Sequence, residues 1–144
     1  SDTVAGTGMV SIMDIGSYYD IHPKLKMEVG RRLGLLALGK TYGKDILCES
    51  PRVIKADRKD QLITLSFNHC DTLSCKEGRN DFVITQDDVP LIIQDISVSK
   101  NRILIRVDEL KDGPATVSLA YAGYAEIHIY NEASLPVCPF CITI

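Results

Sequence analysis

Two carboxylates and a histidine fall close together near the start of the chain, in Met13-Asp14-Ile15-Gly16-Ser17-Tyr18-Tyr19-Asp20-Ile21-His22-Pro23-Lys24. A histidine with an acid beside it is equipped for general acid–base work, because the carboxylate orients the imidazole and the other ring nitrogen can take and return a proton. The setting favours such a role. An apolar run (Met9, Val10, Ile12, Met13, Ile15) leads into the stretch and a helical pattern leads out of it. In open α/β sheets, ligands bind just past the carboxyl ends of the strands. The plainer reading is that Asp14 or Asp20 caps the helix and His22 is a surface turn residue.

The elements that must hold these residues follow from the pattern. Residues 1–8 read as a loop or frayed end. Residues 9–15 are apolar almost throughout without alternating, as expected of a short strand covered on both faces. Such a strand expects parallel neighbours, and nothing later reads as a βαβ crossover. Pro23 suits a first helical turn. Leu25, Val29, Leu33 and Leu36 recur at helical spacing and predict a buried face, with Lys24, Glu28, Arg31 and Arg32 on the solvated one. A helix is predicted over residues 23–40, with Gly43 as its C-terminal cap.

From Ile46 the period changes to short β runs: 52–56, 61–67, 81–85, 91–98, 102–107, 115–120 and 126–130. Leu62, Thr64 and Ser66 alternate with Ile63, Leu65 and Phe67. Turns are predicted at 57–60, 76–80, 99–101 and 111–114. About seven short strands of this kind predict a mostly antiparallel β-sandwich. The fold class is therefore α+β: one strand and one helix of an α/β layer over residues 1–45, and an accessory β-sandwich over residues 46–144.

Composition narrows the function. The chain has 144 residues, 45% hydrophobic and 24% charged, with a net charge of −3. That is a globular chain with enough length to bury a core. No basic cluster of the kind that grips nucleic-acid phosphates is present, so a nucleic-acid partner is disfavoured. No apolar run approaches the ~18 residues that span a bilayer. The chain does not begin with Met, which suggests a processed product or a cut piece, so its start does not give a location.

The residues resemble a known family. Asp20-Ile21-His22-Pro23-Lys24, preceded by Gly6-Thr7-Gly8-Met9 and Met13-Asp14-Ile15-Gly16, is similar to the last catalytic block of the sialate O-acetylesterases, of the SGNH (GDSL-like) hydrolase superfamily. The resemblance continues in Val29-Gly30-Arg31-Arg32-Leu33 and Leu38-Gly39-Lys40-Thr41-Tyr42-Gly43. It returns in Ala120-Tyr121-Ala122, in Ile129-Tyr130-Asn131 and in the ending Leu135-Pro136-Val137-Cys138-Pro139-Phe140. It implies a serine esterase that removes acetyl groups from O-acetylated sialic acid or a related glycan, with no metal or cofactor. His22 matches the family's catalytic histidine. The superfamily commonly places its acid three residues before the histidine. Here that position is Tyr19, and the acid role passes to Asp20, ahead of Asp14. Ser11, Ser17, Ser50, Ser66 and Ser74 lack a nucleophile-elbow context. The resemblance thus implies the C-terminal part of such an enzyme, with the serine in a missing N-terminal catalytic portion and a periplasmic or secreted location. A layer cut in this way predicts that residues 1–40 dock on the sandwich or pair with a second copy through residues 9–40.

The remaining side chains have quieter readings. Cys70, Cys75, Cys138 and Cys141 could supply four thiolates to zinc, but their spacing is loose, and a Cys70–Cys75 disulfide is the better expectation. His69 reads as a loop residue and His128 as a half-buried strand residue. Tyr121, Tyr124 and Tyr130 could stack on a sugar, though ordinary packing explains them too. A second function class therefore stays open: a non-catalytic carbohydrate-binding or interaction module.

Overall fold

The computed structural model describes residues 4–78, 80–121 and 123–144. Parts of three sequence readings lie outside them: the start of the 1–8 loop, Arg79 of the 76–80 turn, and Ala122. The described residues form one helix, α1 (Lys26–Lys40), and ten strands: β1 (Val53–Lys59), β2 (Leu62–Phe67), β3 (Ser74–Cys75), β4 (Phe82–Gln86), β5 (Val89–Pro90), β6 (Ile93–Ser99), β7 (Arg102–Val107), β8 (Thr116–Leu119), β9 (Ile129–Tyr130) and β10 (Phe140–Thr143). The class is α+β, with mostly antiparallel sheets.

One sheet runs β1-β2-β7-β6 and a second β10-β8-β4-β5, with a short ribbon of β3 and β9 beside them. Strand alternation decides which side chains lie between the sheets. Ile63, Leu65 and Phe67 of β2 and Ile103, Ile105 and Val107 of β7 point inward. They meet Ile84 of β4 with Val117 and Leu119 of β8 in one apolar core. The β6–β7 turn falls where predicted, with Lys100 in the left-handed region at φ 53°. The run 57–60 turns only at its last residue. β1 continues through Lys59, and the reversal is at Asp60, φ 51°. The predicted strand 126–130 shrinks to β9, because the main chain of Glu126 and His128 is taken up by Asp81 and Asn80. β10 pairs with β8 inside a segment whose motif hid its strand character.

The first part of the chain departs most from expectation. Residues 9–15 are not a strand. No strand partner adjoins them among the described residues, and the backbone turns at Ile15, whose N–H bonds the Ile12 carbonyl at 3.1 Å. Met13 instead packs on the sandwich core. α1 begins three residues after Pro23, with Leu25 at its N-cap and no side-chain cap. Gly43 does take the left-handed conformation, φ 63°, and the following N–H of Lys44 returns to the Leu38 carbonyl.

The predicted buried face is also only partly covered: Leu25 and Leu33 are exposed, whereas Arg32 is 2% exposed. α1 docks through polar contacts at both ends. Arg31 reaches the carbonyls of Ala133 and Ser134, and Lys40 pairs with Glu49 at 2.5 Å. Gly39 makes this approach possible, since a Cβ there would lie 2.3 Å from Cys48 Sγ. No helix among the described residues is long and apolar enough to cross a membrane.

Candidate active site

The segment from Gly8 to Leu25 has no regular structure of its own, so side chains must hold it. Arg32 does most of this. Its Nη1 and Nη2 donate to Asp14 Oδ1 and Oδ2 at 2.7 Å each. Nη1 also donates to the Ser11 carbonyl at 2.7 Å, and Nε to Glu28 at 2.8 Å. Glu28 in turn accepts two bonds from Arg31, which hold its carboxyl down at about 2 against the penalty of burial. The Tyr130 phenol lies beside Asp14, and burial followed by that carboxylate pushes it up to about 12. Lys76 Nζ sits 4.4 Å from the centre of the Tyr130 ring. Asp14 is therefore committed to holding the loop on the helix.

Beyond this anchor the loop carries His22 outward, with 78% of its side chain exposed. Its Nδ1 lies 3.2 Å from Asp20 Oδ1, and the same oxygen accepts the His22 backbone N–H at 2.9 Å. The two-residue spacing thus brings acid and imidazole together through an Asx-type turn. Asp20 is not the helix cap. With Nδ1 turned to the carboxylate, Nε2 is left to accept a proton from a partner in solution or on another part of the protein. Among the described residues no serine hydroxyl meets His22. Ser11 Oγ is buried without a partner, and Ser74 Oγ donates to the Tyr130 carbonyl.

The other predicted groups stay apart. Cys70 and Cys75 are separate thiols. Cys70 Sγ bonds to the Asn68 carbonyl, and burial pushes its thiol up to about 11, with Glu132 and Asp71 adding to it. Asn80 donates to Cys75 Sγ instead. The expected disulfide is not formed, and each sulfur has a different local partner. Among the described residues no three His, Cys, Asp or Glu side chains gather as a metal site. His69 takes a left-handed loop conformation near Glu49, and half-buried His128 lies 3.6 Å from Glu126. Sequence reasoning missed Arg32, placing it in solvent. Its only signal was a charged residue one turn after Glu28 on the helix, which patterning cannot tell from a surface pair.

No family model and no curated protein matches the chain. Among solved structures, a carbohydrate acetylesterase from Xanthomonas citri matches at a TM-score of 0.73 and 27% identity, over 92% of this chain and 32% of that one. This likeness supports a relation to carbohydrate esterases. The chain spans about a third of that protein's length.

Proposed function

We propose that this chain is the histidine-bearing C-terminal part of a carbohydrate O-acetylesterase of the sialate O-acetylesterase kind, acting by Ser–His chemistry. The observation that carries the reading is the exposed Asp20–His22 pair on a loop pinned to α1, in a chain similar to a carbohydrate acetylesterase. Residues 1–45 would complete a catalytic layer whose serine and oxyanion donors lie in an upstream portion. Exposed Leu25, Met27 and Leu33 would be the surface that portion covers.

The chemistry follows from the geometry. Asp20 holds His22 with Nδ1–H toward the carboxylate. Nε2 removes the serine proton as the oxygen attacks the acetyl carbonyl carbon. Collapse of the tetrahedral intermediate breaks the ester bond, and the imidazolium returns that proton to the departing sugar oxygen. Water, deprotonated by the same nitrogen, then attacks the acetyl-serine carbonyl carbon; the serine ester bond breaks, acetate leaves, and the proton passes to the serine oxygen. Oxyanion donors would come from the upstream portion.

The test joins this chain to its upstream sequence and assays p-nitrophenyl acetate and acetylated sialosides. The chain alone should be inert. The joined protein should hydrolyse both, and His22→Ala should lower turnover by ~10²–10⁴-fold. Turnover by the isolated chain that depends on His22 would overturn the proposal that its nucleophile lies upstream.

A further inference from the structure

Tyr18 and Tyr19 precede the Asp20–His22 pair directly, yet neither touches it in the hydrogen-bond network. Tyr18 meets two rings. Its centroid is 5.1 Å from that of Tyr19 and 5.4 Å from that of Tyr124, with interplanar angles of 84° and 86°. Tyr124 comes from the sandwich, near the far end of the sequence. The three rings make one continuous aromatic cluster across the boundary between loop and sandwich. Tyr18 is 71% exposed and Tyr19 94%.

Of the two loop tyrosines, Tyr18 makes the edge-to-face contact with Tyr124. Tyr19 adds a large ring, almost wholly in water and set edge-on against Tyr18. Exposed aromatic clusters of this kind mark binding surfaces. The support beneath Tyr124 is hydrogen-bonded. The Tyr124 hydroxyl donates to Glu126 Oε1 at 3.1 Å. Glu126 is held in turn by Asp81, whose Oδ2 accepts its N–H at 2.8 Å and whose own N–H bonds its carbonyl at 3.0 Å. Rings presented on fixed supports lose little entropy on contact. The flanking carboxylates of Glu126 and Asp20 are acceptors. Aromatic faces beside acceptors suit a molecule with apolar C–H faces and a rim of hydroxyls, which describes a pyranose.

We propose that Tyr18, Tyr19 and Tyr124 form a subsite that seats the sugar ring of an acetylated glycan beside the His22 loop. Delivery of the acetyl group to His22 rests on the esterase reading, whereas the sugar binding itself does not. The trio shares only Tyr124 with the one the sequence suggested: Tyr130 is buried against Asp14, Tyr121 joins no ring contact among the described residues, and Tyr18 and Tyr19 stand in their places.

The chain holds no tryptophan and six tyrosines, three of them in the cluster, so the change in tyrosine emission is assigned to the cluster by comparing the variants. Titrating the 144-residue chain with acetylated xylo-oligosaccharide and, separately, acetylated sialyllactose should give saturable binding of at least one, and the one that binds identifies the sugar class. Tyr18→Ala, Tyr19→Ala and Tyr124→Ala should each weaken it by roughly tenfold, read in parallel by calorimetry. Tyr124→Phe should keep most of the affinity, since it keeps the ring. Tyr42→Ala, at an equally exposed position after α1, should change nothing. Absence of binding to both glycans overturns the subsite, as does a loss in Tyr42→Ala equal to that in Tyr19→Ala. Tyrosine-dependent binding without His22-dependent hydrolysis in the joined protein upholds the subsite and removes the esterase reading. Hydrolysis of acetylated glycan that the tyrosine variants leave unchanged does the reverse.

Discussion

Arg32 grips Asp14 with both guanidinium nitrogens, at 2.7 Å to each carboxylate oxygen, and both side chains are almost wholly buried. The pair joins the irregular segment that carries His22 to the one helix among the described residues. A bidentate fork of this kind fixes orientation as well as distance. It makes the loop's placement a property of the helix, so that α1 serves as the loop's scaffold although part of its apolar face lies open.

Arg32→Ala should therefore cost about 3–5 kcal/mol, since it strands a buried carboxylate. Asp14→Leu combined with Arg32→Met should cost less than the two single changes added together, because no unpaired charge is left inside. Urea denaturation of the four proteins checks this. Equal, additive losses would mean the pair holds nothing in common.

The same network sets an acid limit. Glu28 is held at about 2 in the folded chain, against 4.5 ordinarily, chiefly by its bonds to Arg31. A carboxyl lowered on folding stabilises fully above its unfolded value, and that contribution is lost as pH falls from about 4.5 through about 2. Glu28→Gln should flatten this part of the stability curve while leaving the rest of its shape alone. Thermal melts from pH 6 to pH 2 read the difference.

The sandwich was legible in the sequence, while the loop was not, and the reasons are physical. Alternation in 62–67 and 102–107 identifies inward side chains because a strand has a strict period of two. The apolar run 9–15 carries no period, and a coil packed under a helix needs the same residues as a buried strand. Arg32 looked solvated because helix periodicity registers hydrophobicity and is blind to a carboxylate eighteen residues earlier in the chain. Asp20 and His22 could be read as a pair, since a contact two residues apart is local. Tyr18 with Tyr124 could not, because only the fold brings them together.

Cysteine reactivity offers an independent check on burial. Cys70 is pushed up to about 11, first by desolvation and then by Glu132 and Asp71, and the thiolate is the reactive form. Cys75 and Cys141 are exposed. Iodoacetamide at pH 8 should modify those two first and reach Cys70 only on unfolding, as peptide mass mapping would display. Early labelling of Cys70 would contradict its placement against Asn68.

Asn131 fastens the start of the chain's ending to three other parts of the fold. It is 3% exposed, and its side chain makes four hydrogen bonds. Its Nδ2 donates to the carbonyls of Glu49 and His69, and its Oδ1 accepts the N–H groups of Ala133 and Leu135. These partners belong to the segment after α1, the loop before β3 and the turn that supplies the carbonyls for Arg31. Asn131→Ala strands all four, each buried group costing roughly 1–3 kcal/mol less whatever water recovers. Asn131→Asp keeps the acceptor but removes both donors and faces a charge toward two carbonyls, so it should destabilise as well. A purely local role would leave the helix dock intact in either variant. The shared partners predict instead that hydrogen exchange quickens in α1 along with the 131–135 turn, and unchanged protection of α1 would separate the two.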